Sequence, residues 1–166
     1  MKLTDIAPLE TWARIENESF EKFGLQSYVF NVDGVRITDT KNWSNRLCPE
    51  IKSTGKGQTF ICATAHMNMA NEARETRKPV IEECDAGMLK IVVPIFARDE
   101  FVGTAGGCGL LLQDGEVDAF AVNKIVELDE DRVADLSDEI PAITNETAEA
   151  ICRFFTEKIE DLVETK

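Results

Sequence analysis

Val80–Leu112 reads VIEECDAGMLKIVVPIFARDEFVGTAGGCGLLL, and its reading decides the fold. Leu89–Phe96 is apolar and rich in branched residues. Phe101–Leu112 repeats that character with glycines admitted, and Ala97-Arg98-Asp99-Glu100 between them is a short polar turn. Two such runs joined by such a turn predict a β-hairpin. With the turn centred on Arg98-Asp99, Cys108 falls opposite Leu89, and the sharp Asp85-Ala86-Gly87 bend carries Cys84 towards the same end of the sheet. That end is read as the working end. The glycines at 103, 106, 107 and 109 weaken a strand. They mark either a bulge and bend, or places where a backbone, a ligand or another element must approach closely.

Upstream of this stretch, Gln58–Thr76 is rich in helix formers and is ended by Lys78-Pro79, since a residue before proline leaves helical geometry. Positions 62, 66, 69, 70 and 73 share one face of this second helix, which sets Cys62 and His66 one turn apart on the side that meets the sheet. Further back, Leu25–Asn31 and Val35–Thr38 flank Asp33-Gly34, a dipeptide suited to a two-residue hairpin turn, and are expected to pair. Pro8 to Phe23 is a first helix stopped by Gly24. Downstream, Val117–Glu127 and Asp129–Asp138 are expected as short helices. Pro141 then admits a last helix to about Val163, with an apolar stripe from Ile143 through Phe155 to Leu162. The order lacks βαβ alternation, so the expectation is an α/β chain of the α+β kind. A five-stranded antiparallel sheet carries covering helices on one face and helical N- and C-terminal extensions. A single domain over 1–166 is expected, with a core at about 25–112 and flanking helices at about 8–23 and 117–163.

The chain has 166 residues, 43% of them apolar, enough for one real core. Its 31 acidic and 18 basic residues give a net charge of −13. That balance repels nucleic-acid backbones and anionic lipid surfaces, so no nucleic-acid or membrane partner is expected. The start of the chain lacks the basic-then-apolar order of a signal peptide, and five scattered cysteines fit a reducing compartment. A cytoplasmic protein is expected. The apolar stripes of the first and last helices suit intramolecular packing, with a helical homodimer as the alternative.

Chemistry is expected at Cys48, Cys62, Cys84 and Cys108, with His66, the only histidine, as a fifth group. Thiolates and imidazole bind zinc at about 2.0–2.3 Å, and four sulfur ligands would hold zinc or an iron–sulfur cluster. No two cysteines stand at the CxxC spacing, so such a site would have to be assembled from four separate segments. The competing assignment is buried, unliganded thiols that pack as small core residues, and Cys152, beside Ile151 on the last helix, is assigned to packing. Cys62 with His66 would make an unusual nucleophile–base pair lacking an evident orienting carboxylate. No catalytic residue is therefore assigned and no enzyme is expected. Ser53-Thr54-Gly55-Lys56-Gly57 lacks the glycine spacing of a phosphate-binding loop, and the acidic runs lack the alternating oxygen ligands of an EF-hand.

The ordered series Leu47-Cys48-Pro49-Glu50-Ile51, Cys62, Ala73–Ile81, Cys84-Asp85-Ala86-Gly87-Met88, Val93-Pro94-Ile95 and Val102-Gly103-Thr104 with Gly106-Gly107 resembles the PocR sensory domain over about Leu25–Leu112. The resemblance implies a PAS-like fold and a role in sensing small molecules such as simple diols. It sets Cys48, Cys62 and Cys84 at the family's cysteine positions, and Gly87 and Pro94 at its turn and strand positions. Asp85 stands where the family usually has histidine, and Cys108 where glutamine commonly follows the glycine pair. The exchange removes a nitrogen donor and adds a sulfur, in the direction of an all-cysteine metal site. The expectation is a free-standing signal-transduction domain that binds a small organic ligand between the sheet and the second helix. Cys48, Cys62, His66, Cys84, Cys108, Gly106 and Gly107 would form its site, and its output would pass to a signalling partner protein or a second copy. The alternative is a zinc, iron–sulfur or redox-sensing site on Cys48, Cys62, Cys84 and Cys108.

Overall fold

The computed structural model describes residues 1–165. In chain order the elements are α1 (Leu3–Ile6), α2 (Leu9–Phe23), β1 (Gln26–Asn31), α3 (Leu47–Lys52) and the single turn α4 (Gly55–Gly57). A π-helical segment, Gln58–Ala63, then runs into α5 (Thr64–Thr76). After it come β2 (Val80–Glu83), β3 (Leu89–Ala97), β4 (Glu100–Leu112), α6 (Ala119–Val126), α7 (Glu130–Ser137), β5 (Ala142–Ile143) and α8 (Asn145–Glu164). The sheet order is β1-β4-β3-β2, antiparallel at each step. β5 adds a fifth, parallel strand to the end of β4 through Leu111 and Leu112. This is the expected α+β architecture, consistent with a PAS-like sensory domain.

Local chemistry explains the elements. Pro8 presets the entry to α2, and Gly24 at φ 72° ends it in the left-handed conformation, its N–H reaching the Phe20 carbonyl at 2.8 Å. The β3–β4 turn is Arg98-Asp99, with positive φ at both residues, the geometry whose twist matches the flanking strands. Residues of odd number in β3, from Leu89 to Ala97, join Leu25, Val29, Ala105 and Leu110 in one core. That core packs on Trp12 and Ile15 of α2 and on Ile151, Phe155 and Ile159 of α8. Trp12 is fully buried and its indole N–H donates to the Leu3 and Ala7 carbonyls, which ties α1 down. Burying side chains of this size stabilises by about 1.5–3 kcal/mol each.

Three expectations are corrected. Helices cover both faces of the sheet, not one, because the stripes of α2 and α8 are used on the face opposite α5. Met69 and Ala73 of α5 pack against Val80 and Val92 on the other face. Val35–Thr38 is not a strand: beyond the Asp33-Gly34 turn only Arg36 bridges back, to Phe30. The segment is instead drawn to α2, where Thr38 and Thr40 donate to the buried Glu16 carboxylate and Arg36 lies 3.8 Å from it.

The third correction concerns register. Phe96 pairs with Phe101 but Ile95 pairs with Gly103, so Val102 is an extra residue in β4. This bulge shifts the pairing by one, and Cys108 stands opposite Lys90 rather than Leu89. A second irregularity, at Gly109, returns Leu110 to the core opposite Leu89.

Candidate functional site

On the α5 face of the sheet the ladders set Gln26, Cys108 and Lys90 side by side on β1, β4 and β3. Above this row lies a cavity of about 490 Å³, within the range of small-molecule sites. Tyr28 and Phe30 continue its sheet wall. Cys48, Ile51 and Lys52 enter from α3, Ile61 and Cys62 from the π-helical segment, His66 from α5, and Cys84 and Met88 from the bend before β3. Asp33, Val35, Arg36 and Met67 stand around it on more exposed parts of the chain. The four cysteines singled out in the sequence thus line one cavity from four segments, together with His66. The π-helix widens the turn that carries Cys62, a distortion common where helices bear functional groups.

Asn45 ties this wall together. Its side-chain oxygen accepts from the Leu47 and Cys48 N–H groups at 2.8 Å each, which starts α3. Its amide nitrogen donates to the Gly109 carbonyl at 2.7 Å and reaches Cys48 Sγ at 3.3 Å. Gly109 sits at φ 98°, and a Cβ there would lie 2.8 Å from the Gln26 side-chain amide, so the bulge requires glycine. Gln26 in turn reaches Cys108 Sγ at 3.4 Å and is fixed by Ser44.

Gly106 and Gly107 do not share the cavity lining. A Cβ on Gly106 would stand 2.0 Å from the Ile91 carbonyl oxygen, and one on Gly107 2.3 Å from that of Gln26. Close approach of neighbouring strands accounts for both. Cys152 is buried in the α2–α8 core.

The electrostatics of the site are those of neutral thiols and a neutral imidazole. Burial pushes the Cys48 and Cys84 thiols up, and the nearby Cys108 adds to both shifts; burial also takes Cys62 up to about 11 against the opposing pull of Lys52. Burial, then Lys90 and Lys52, push His66 down to about 3. Its ring packs on Phe30 with centroids 3.9 Å apart, and its Nδ1 has no hydrogen-bond partner. Burial likewise raises Tyr28. A thiolate–imidazolium pair needs the opposite shifts at Cys62 and His66, so these residues do not form an activated nucleophile. Among the described residues, no three His, Cys, Asp or Glu side chains converge closely enough to hold a metal ion. The thiols as placed therefore do not fit a tetrahedral ion.

Sequence reasoning missed Asn45, Gln26, Tyr28, Lys52 and Lys90. An Asn two residues before a short helix is a capping signal that was available for Asn45. Lys90 alternates with the core residues Leu89 and Ile91, so its face was legible; the bulge at Val102, which sets Cys108 beside it, carries no such signal.

No helix among the described residues is long and apolar enough to cross a membrane. A family model described as “Sensory domain found in PocR” matches residues 5–166. The likeness read from the motifs of 25–112 therefore extends through the flanking helices. Comparisons with curated proteins and with solved structures give no significant match.

Proposed function

The chain belongs to the family of sensory domains found in PocR, and from that premise we propose that it senses a small organic molecule bound between the sheet and α5. One observation carries the proposal: Cys48, Cys62 and Cys84, the positions where the family resemblance places cysteines, converge on a single cavity of about 490 Å³. The thiols serve as polarisable, uncharged walls, and no catalytic step is assigned to them. A ligand that prefers one packing of the π-helical segment against α3 shifts the population of that packing. The change passes to a signalling partner protein or a second copy, in the cytoplasm.

Native and denaturing mass spectrometry of the full chain purified without oxygen or chelator, with elemental analysis, tests this. The expected result is an organic mass lost on denaturation, or its reappearance after incubation with cell extract. A chain that carries no extra organic mass as purified and takes up none from cell extract would overturn the proposal. The second reading, a zinc or iron–sulfur site on Cys48, Cys62, Cys84 and Cys108, rests on the same four thiols facing one space. It requires their side chains to move together, and stoichiometric metal lost in Cys108→Ser would establish it.

A further inference from the structure

We propose that the ligand is a small organic carboxylate with an apolar body, its charge received by Lys90 and Lys52. This rests on the reading of the cavity as the sensory site. The chain carries a net charge of −13, yet the cavity is lined by Arg36, Lys52 and Lys90 against a single carboxylate, that of the exposed Asp33. Arg36 is already committed, lying 3.8 Å from the buried Glu16 carboxylate and donating to Thr40. Lys52 and Lys90 are not committed. Among the described residues neither has a carboxylate oxygen within 4.0 Å.

Lys90 is the more telling of the two, at 6% exposure. Glu82 stands opposite it across the β2–β3 ladder, but that side chain is exposed and makes no ion pair with it. A buried ammonium without a counterion is costly, and side chains of this kind are seldom buried unless something pairs with them. Lys52 places its Nζ 4.4 Å from the centre of the Tyr28 ring, over the same wall. Beside Lys90 the ladder sets Cys108, which offers no carboxylate to either cation. His66 is held neutral and supplies no third cation. The lining offers no uncommitted guanidinium fork, so the anion meets point-charge ammoniums, one of them already over the Tyr28 ring, rather than a bidentate clamp. The remaining walls, Tyr28, Phe30, Ile51, Ile61 and Met88, are apolar or aromatic and call for an apolar body.

The test is calorimetric titration of the full chain, Lys90→Met and Lys52→Met with charged and neutral isosteres. The pairs are benzoate and benzamide, hexanoate and hexanamide, and 3-phenylpropanoate and its amide, with phenyl phosphate as a further probe. In the wild type at least one carboxylate should bind about tenfold or more tighter than its amide, as a charge-assisted contact requires. Lys90→Met should bring the pair to about equal affinity, and Lys52→Met should narrow the gap. Without any ligand, Lys90→Met should melt at or above the wild-type temperature, since an unpaired buried charge is gone.

Amides that bind as well as or better than carboxylates would overturn the charge assignment while leaving the sensory cavity standing. Phenyl phosphate binding tighter than every carboxylate would overturn the carboxylate. A lower ligand-free melting temperature in Lys90→Met would show that Lys90 is a structural partner and overturn the inference without any ligand. Absence of binding by every probe, charged and neutral, would count against the cavity reading itself.

Discussion

Replacing Asn45 by Ala removes, in one side chain, the acceptor for the Leu47 and Cys48 N–H groups and the donor to the Gly109 carbonyl. Loss of the cap on α3 costs about 0.5–2 kcal/mol. The Gly109 carbonyl lies in a buried bulge, and leaving it without its partner costs about 1–3 kcal/mol. The expected destabilisation is about 2–4 kcal/mol, read by urea unfolding, with a fall in melting temperature of about 5–15 °C for a chain of this size. Asn45→Ser restores the short-range cap but cannot reach Gly109, so it should recover about half of the loss. Because the same amide covers Cys48 Sγ at 3.3 Å, modification of Cys48 by a thiol reagent should also accelerate in Asn45→Ala, as mapped by mass spectrometry. A loss below about 1 kcal/mol with an unchanged denaturant slope would refute the assignment of Asn45 as the tie between α3 and the bulge.

Glu16→Ala should destabilise by about 3–5 kcal/mol, because it leaves Arg36 and the Val29 N–H without their buried partner. Hydrogen exchange at Val29 should rise with it, and unchanged protection would count against the link. His66 has a folded value near 3, below the unfolded value near 6.5. Unfolding therefore takes up a proton between those limits: stability from this group is full above pH 6.5 and falls by about 1.4 kcal/mol per pH unit as the pH drops towards 3. The difference between wild type and His66→Gln isolates it from the carboxylates, and a flat difference across that window would reject the neutral, buried imidazole. Alkylation of Cys62 should be slow at pH 7 and climb about tenfold per pH unit towards a value near 11. A plateau near neutrality would instead reveal an activated thiol.

The hairpin was legible because its turn chemistry is local. Arg98-Asp99 and the two apolar runs beside it needed no other part of the chain to declare themselves, and the left-handed cap at Gly24 is of the same kind. The face of α5 was legible for a similar reason: positions 66, 69 and 73 are set by helical period alone, and they meet the cavity or the sheet as expected. The approach of Cys84 to Cys108 was legible from the hairpin turn and the bend before it, whereas Cys48 and Cys62 were joined to them only through the family motifs.

What spacing does not carry is non-local competition. Val35–Thr38 has the alternation of a strand, yet its polar side chains are claimed by Glu16 on α2, over 20 residues back in the chain. Ala142–Ile143, read as part of a helix, becomes a strand because Leu111 and Leu112 offer an unpaired edge.

The sequence by itself determined the main helices, the central hairpin, the net negative charge and the family resemblance. Each of these follows from neighbouring residues or from composition. Only the tertiary structure decided which side chains face the cavity. One extra residue at Val102 moves β4 by a single step against β3, and the strand period of two turns that step into an exchange of faces for the β4 residues beyond it. Cys108 thereby leaves the core face, where it would have stood opposite Leu89, and comes to stand beside Lys90 on the wall of the cavity.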